Sequence, residues 1–253
     1  MEKFIKQLLR DAGAILREKF GKITVANTKA HALDFVTEAD LAADKLITDR
    51  IKKKFPTHAI ISEESGEYNR HSNKWIIDPL DGTNNFLLGI PLFVTQLAFV
   101  QSNRIKFSAI YDPIHERLYF AERNKGSFLN NKKIRCANNT NLRSSQGAFD
   151  FYFNDGFEVL TKINRSIKDK SFWARNLGSA GTTGTLISRG SLDWSIMIGG
   201  ANIWDYAPSA LLVREAGGVV KNFMGKDWQM GDRGFIAGNS ALVKKLVSIV
   251  NTS

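Results

Sequence analysis

The chain is poor in several things, and each shortage narrows the reading. One cysteine, Cys136, in 253 residues leaves no internal disulfide and fits a reducing compartment, so the cytoplasm is the expected location. No apolar run reaches the roughly 18 residues a membrane-spanning helix needs, and no membrane partner is expected. The first twenty residues, MEKFIKQLLRDAGAILREKF, are interrupted by charges throughout and read as a helix rather than a secretory leader. The four histidines, His31, His58, His71 and His115, are scattered. With no His-Glu-x-x-His and no cysteine pair, nothing suggests zinc. A Gly-x-Ser-x-Gly elbow and a Gly-Lys-Ser/Thr phosphate loop are also missing, which argues against a serine hydrolase and a P-loop enzyme.

Acidic residues are outnumbered, 25 against 35 basic, giving a net charge of +10 and a pI near 9.7. Such a surface attracts anions, whether nucleic acid, anionic lipid or a phosphorylated substrate. Basic residues are spread along the chain, with Lys52-Lys53-Lys54 and Lys132-Lys133 the tight runs. A helical lysine run more often forms a solvated face. Hydrophobic content of 43% and charged content of 24% are those of a globular protein. The length suffices for one large domain or two packed halves.

What stands out is Trp75-Ile76-Ile77-Asp78-Pro79-Leu80-Asp81-Gly82-Thr83-Asn84-Asn85-Phe86. A buried strand end delivers two carboxylates, and Pro79 is expected to turn the chain between them. Gly82 then permits a backbone geometry or approach that a side chain would block. Two carboxylates so close form a cluster of hard oxygen donors suited to Mg²⁺ or Mn²⁺. Taken alone, Asp-x-x-Asp also describes a loop whose aspartates close a turn.

Around this stretch, apolar spacing predicts a helix over 3–20 ending near Gly21, then a weak hairpin signal from Lys22 to Val25. Thr37-Glu38-Ala39-Asp40 has capping-box form, with Leu41, Leu46, Ile47, Ile51 and Phe55 continuing as a helical stripe. Ala59-Ile60-Ile61 reads as a strand ending at Ser62-Glu63-Glu64, and residues 67–74 as a polar loop. Strands follow at Phe93–Val100, Ile105–Tyr111 and Arg117–Glu122. The apolar-poor residues 137–145 mark a boundary. This gives an α+β half over 1–140 and an α/β half over 141–253. In the second half, strands near Gly147–Phe149, Leu192–Met197 and Phe235–Ala237 alternate with helices around 156–168, from the glycine-rich connection Gly178-Ser179-Ala180-Gly181 to about Arg189, from about Trp204 to Ala216 and from Asn239. Alternation of this kind indicates layered α/β architecture. Gly178-x-x-Gly181-x-x-Gly184 by itself signals no more than close helix packing.

The string Asp78-Pro79-Leu80-Asp81-Gly82-Thr83-Asn84-Asn85-Phe86 closely resembles the first signature of the inositol monophosphatase family, lithium-sensitive Mg²⁺-dependent phosphatases. Trp204-Asp205 followed by Glu215-Ala216-Gly217-Gly218-Val219 resembles the second signature, and Glu63-Glu64 lies upstream as in the family. The resemblance implies an α-β-α-β-α sandwich with the site between the halves, two or three Mg²⁺ ions (or Mn²⁺) and a homodimer. It implies metal ligands at Glu63, Asp78, the Leu80 carbonyl, Asp81 and Asp205, with the first half carrying most of them. Glu63 and Thr83 would order a nucleophilic water, with Asp40 holding Thr83. The Gly82 and Thr83 amides would bind phosphate, Gly178, Ser179, Ala180 and Asp205 the organic part, and Lys29 would lie nearby.

The implied reaction is hydrolysis of a small phosphate monoester by metal-activated water. Substrates within the class include inositol 1-phosphate, another sugar phosphate, a 3′-phosphonucleotide and histidinol phosphate. A regulatory protein that binds RNA or RNA polymerase is the alternative in a different class. One position departs from the pattern. Seven residues before Asp205, where inositol-specific members carry a glutamate that bonds the inositol hydroxyls, this chain has Ile198, so the polyol-reading group is missing. Trp204, beside Asp205, is expected to be buried.

Overall fold

A computed structural model describes residues 1–22, 25–28, 35–151, 155–166, 173–198 and 202–251. In chain order the elements are α1 (Glu2–Lys19), β1 (Val25–Thr28), β2 (Phe35–Thr37), α2 (Glu38–Lys54), β3 (Ala59–Ser62), β4 (Gly66–Tyr68), β5 (Asn73–Asp81) and α3 (Thr83–Leu87). The strands β6 (Val94–Gln101), β7 (Arg104–Asp112), β8 (Arg117–Glu122), β9 (Gly126–Leu129) and β10 (Lys132–Lys133) complete the first half. The second holds β11 (Gln146–Phe151), α4 (Asp155–Ser166), β12 (Trp173–Arg175), α5 (Ala180–Ser188), β13 (Trp194–Ile198), α6 (Ile203–Glu215), β14 (Val219–Lys221), β15 (Phe235–Gly238) and α7 (Ser240–Val250).

An eight-stranded sheet has the order β10-β9-β8-β7-β6-β5-β3-β4, and a five-stranded sheet the order β12-β11-β13-β15-β14. Alternation along β5 explains how the layers form. Trp75 and Ile77 pack with Ile5, Leu9, Ile47 and Ile51 of α1 and α2, whereas Ile76 packs with Leu211 and Leu212 of α6. The second sheet divides in the same way. Ala148, Met197 and Ala237 join the α5–α6 cluster, while Phe149, Trp194, Ile196 and Ile198 pack with Ile163 of α4 and Leu242 and Leu246 of α7. The result is α-β-α-β-α, with α5 and α6 as the shared middle layer.

Local structure departs from the sequence reading in three places. Residues 67–74 are not simply a loop, because β4 pairs antiparallel with β3 and β5 already starts at Asn73. The buried stripe of α2 is made of small and polar residues, Ala39, Asp40, Ala43, Asp44 and Thr48 beside Ile47 and Ile51, and Leu41 is exposed. The chain does not turn between Asp78 and Asp81. Both remain in β5, where Asp78 faces Gln96 and Asp81 faces Val94, so Pro79 and Leu80 share one partner position in a β-bulge.

Candidate metal centre and active site

The bulge is what makes the pair usable. In a regular strand, residues three apart point to opposite faces, and one extra residue restores them to the same side. Proline at 79 suits the bulge because it has no N–H to leave unpaired. Asp205 arrives from the other half, in the first turn of α6, where its Oδ2 accepts the Asn202 N–H at 2.6 Å. One carboxylate oxygen from each of Asp78, Asp81 and Asp205 lies within 4.8 Å of the other two.

Each acid is aimed by hydrogen bonds. Asp78 accepts the Leu80 N–H at 3.1 Å and Gln96 Nε2–H at 3.2 Å. Asp81 accepts from the start of α5: the Ala180 N–H at 3.0 Å, the Gly181 N–H at 2.7 Å and the Ser179 hydroxyl at 2.5 Å. A carboxylate at a helix N-terminus also gains from the helix dipole. Gly181 is required by the closeness of this contact. A Cβ there would lie 2.6 Å from Gln96 Oε1 and 2.7 Å from Val94 Cγ2.

Without a cation the cluster resists ionisation. Burial, then the charges of Glu63, Asp81 and Asp205, pushes Asp78 well above the usual carboxylate range. Burial, then Asp81 and Glu63, does the same to Asp205. Burial raises Asp81 to about 6 even though the three α5 donors oppose the shift. An all-oxygen donor set whose charges repel one another fits a hard divalent cation. Glu63 follows β3, with its N–H bonded to the Ile77 carbonyl at 3.2 Å, and its charge acts on all three aspartates.

Beside the cluster, Thr83 Oγ1 donates between Asp40 Oδ1 at 3.2 Å and the Leu80 carbonyl at 3.0 Å. The other Asp40 oxygen accepts the Thr37 N–H at 2.8 Å and the Thr37 hydroxyl, closing the capping box of α2. Asp40 therefore both caps a helix and reaches Thr83. Gly82, at φ 94°, turns the chain into α3, whose first amides have no intrahelical acceptor. Asn85 Nδ2–H bonds the carbonyls of Leu92 and Leu177, each at 2.7 Å, fixing the segment that holds Gly178, at φ 64°, and Ser179 against the first half.

Lys29 lies outside the described residues. Trp204 is half-buried at the edge of the middle cluster rather than fully enclosed. Gly184 does serve helix packing, since a Cβ there would meet Ser209 Oγ of α6 at 2.1 Å. Ile198 stands on the α4–α7 face of its sheet with Trp194 and Ile196.

Three residues that the sequence does not single out contact the candidate site: Asn85, Gln96 and Asp150. Asn85 was in view, inside the signature itself. Gln96 gave no signal in its apolar strand. Asp150 carried one, as a lone charge between Phe149 and Phe151. It lies on the α5–α6 face of β11, bonded to the Thr183 side chain, and burial raises it to about 7. Its charge acts on Asp81 and Asp205, and its Oδ2 is buried without a partner.

The whole sequence, residues 1–253, matches the profile of the inositol monophosphatase family. The chain belongs to this family. Among inositol monophosphatase relatives, the fructose-1,6-bisphosphatase/inositol-1-monophosphatase of Thermotoga maritima is 32% identical over 98% of this chain and 94% of its own. The Nus factor SuhB of Escherichia coli is 37% identical over 85% of this chain and 82% of its own. The solved Thermotoga maritima IMPase is 32% identical with a TM-score of 0.90, covering 99% of this chain and 97% of that one. Fold and family thus place this carboxylate cluster in a phosphatase framework. Among the described residues, no helix is long and apolar enough to cross a membrane.

Proposed function

We propose that the chain hydrolyses a small phosphate monoester, using Mg²⁺ held by Asp78, Asp81, Asp205, Glu63 and the Leu80 carbonyl. The observation that carries this reading is the convergence of Asp78, Asp81 and Asp205 from both halves beside the Thr83–Asp40 pair. Bound metal would supply charge neutralisation for the phosphate and the leaving oxygen and a lowered pKa for water. The protein's part is positioning. Asp40 accepts from Thr83, which turns the threonine oxygen lone pairs towards the site, where they can accept from an incoming water. Glu63, whose charge reaches all three aspartates, would help to order that water. The Gly82 and Thr83 amides, at a helix start, offer donors to phosphate oxygens. Ser179, Ala180 and Gly181 hold Asp81, and Gly178, Ser179 and Ala180 would line the organic group.

Inositol 1-phosphate and fructose 1,6-bisphosphate head the substrate class, because the Thermotoga relative carries both activities in its name. Phosphate release from a panel containing these two, histidinol phosphate, a 3′-phosphonucleotide and glycerol 2-phosphate tests the reading, with Mg²⁺ and then with excess chelator. Turnover with Mg²⁺, loss in chelator and inhibition by Li⁺ are expected. Equal turnover in chelator would reject the metal mechanism.

The regulatory reading draws on the SuhB relative and on the net charge of +10. Absence of turnover on every substrate, together with saturable binding to RNA or RNA polymerase, would favour it. A cytoplasmic location and a homodimer are proposed as well, the first drawing on the single cysteine and the second on the family.

A further inference from the structure

At the opposite end of α6 from the aspartate cluster lies a cleft of about 660 Å³ that the proposed chemistry does not use. Asp205 and Arg214 occupy opposite ends of α6, nine residues apart, or about 14 Å along the axis. The cleft at the Arg214 end lies between the halves: Arg104 at the start of β7 and Arg123 after β8 line one side, and Arg214, β14 and residues 227–231 the other.

Its charge is one-sided. Three guanidiniums face the single lining carboxylate, Asp227, which is already paired with Lys221 Nζ at 2.8 Å. Arg214 is fixed by bonds to the carbonyls of Trp228 at 2.6 Å and Val220 at 3.4 Å. Arg123 is fixed through Nε alone, to the Ile105 carbonyl at 2.7 Å, leaving its two terminal nitrogens unengaged. Arg104 is exposed and makes no hydrogen bond or ion pair among the described residues. Arg123 and Arg214 sit close enough to repel one another, and burial and that repulsion lower the Arg214 pKa against the opposing pull of Asp227. The buried indole N–H of Trp228, also in the lining, has no acceptor.

Holding like charges together on a fixed frame costs free energy in the empty cleft, and an anion between them reverses the sign. Arginine presents paired N–H groups that match phosphate oxygens, and a cleft of this size suits a small molecule. We propose that this cleft is a second, non-catalytic site for a phosphorylated small molecule carrying at least two adjacent negative charges, bound across the two halves. Carboxylates are poorer candidates, because three forks around one space favour a group that offers several oxygens at once.

Calorimetric titration of the full chain, free of metal, with inorganic pyrophosphate tests the proposal. Without metal the aspartate cluster offers the probe no cation, and loss of binding in the arginine variants assigns the binding to the cleft. Saturable binding with a Kd below about 1 mM is expected, weakened roughly tenfold in Arg104→Ala and in Arg123→Ala, the usual effect of losing one charged contact. Because Arg104 is exposed, its variant keeps the fold and decides the matter if Arg123→Ala does not. Exposed Lys244→Ala should bind like wild type, and Mg²⁺-dependent phosphate release should be unchanged in the Arg104 variant. Repeating the titration with ATP separates the sources: equal affinity means the phosphates alone are read, tighter binding that a nucleoside is read too. No saturable binding would overturn the proposal. So would unaltered affinity in Arg104→Ala, an equal loss in Lys244→Ala, or binding of a short RNA without binding of pyrophosphate.

Discussion

Asp81, the last residue of β5, accepts the Gly181 N–H at 2.7 Å across one hundred residues of sequence. This contact joins the two halves at the aspartate cluster, and it exists because residue 181 has no Cβ. In Gly181→Ala the new methyl would start 2.6 Å from Gln96 Oε1 and 3.0 Å from Asp81 Oδ2. The start of α5 must then retreat, taking the Ala180 and Gly181 amides from Asp81. The expected cost is about 1–3 kcal/mol of stability, with a roughly 10–100-fold loss of Mg²⁺ affinity as supporting bonds fail. Denaturant melts and the Mg²⁺ dependence of phosphate release measure the two. A variant with wild-type metal dependence would show that the contact is dispensable.

Replacing a ligand separates chemistry from folding. Asp81→Asn and Asp205→Asn each remove a charge from the cluster, and kcat should fall on the order of a thousandfold or more. Folding should survive, because the aspartates repel one another when no cation is bound. A folded Asp81→Asn protein with near-normal turnover would falsify its assignment as a ligand.

Metal-free stability should depend on pH in a direction the cluster dictates. Asp81 is raised from 3.8 to about 6, so between those values the folded chain binds more protons than the unfolded one. Stability then falls as pH rises through this window and stays lower above it. The raised pKa values of Asp78 and Asp205 extend the fall upwards. In chelator, Tm should drop between pH 4 and pH 7, and Mg²⁺ at pH 7.5 should restore it. Asp81→Asn should flatten the chelated profile. A chelated profile that rises over the same window would contradict the sign.

Gln96 offers a finer test of how the cluster is aimed. Its amide N–H holds Asp78 Oδ2 at 3.2 Å, while its Oε1 is buried without a partner. Gln96→Leu keeps the volume and removes the donor, so Asp78 loses one of two orienting bonds. Mg²⁺ affinity should weaken about tenfold, with the melting midpoint nearly unchanged because an unpaired buried oxygen is removed as well. An unaltered Mg²⁺ requirement would mean that the Leu80 amide suffices to aim Asp78.

The site was legible where function is written in adjacent residues, and much less so where it depends on sheet register. Asp78, Asp81 and Thr83 sit in one short string, and the Thr37–Asp40 capping box is visible as spacing. The bulge at Pro79 looks like a turn in the sequence, because proline and two flanking acids carry the same signal in both. Only pairing with β6 separates the two. Gln96 was hidden for the same reason: its role depends on facing Asp78 across the ladder, and nothing in Val94-Thr95-Gln96-Leu97 indicates a partner. Leu41 reads as core from helical spacing alone, whereas α2 packs through Ala39, Ala43, Ile47 and Ile51 and leaves Leu41 exposed.

Ile198 shows the difference most sharply. From sequence, its place seven residues before Asp205 implies a missing hydroxyl-binding group, and a glutamate restored there would bring about tenfold better use of inositol 1-phosphate. In the fold, Ile198 is 7% exposed and packs with Trp194 and Ile196 towards α4 and α7, away from the α5–α6 face that carries the site. A glutamate would put an unpaired carboxylate into an apolar cluster, at a cost of roughly 3 kcal/mol or more. The expected outcome for Ile198→Glu is therefore a Tm lowered by roughly 10 °C. The ratio of kcat/KM for inositol 1-phosphate over glycerol 2-phosphate should stay unchanged. Ile198→Val separates packing from chemistry, because it should lower Tm only slightly and leave that ratio alone. If Ile198→Glu instead stays stable and gains tenfold selectivity for the inositol ester, the end of β13 turns into the site when substrate binds, and the missing-group reading stands after all.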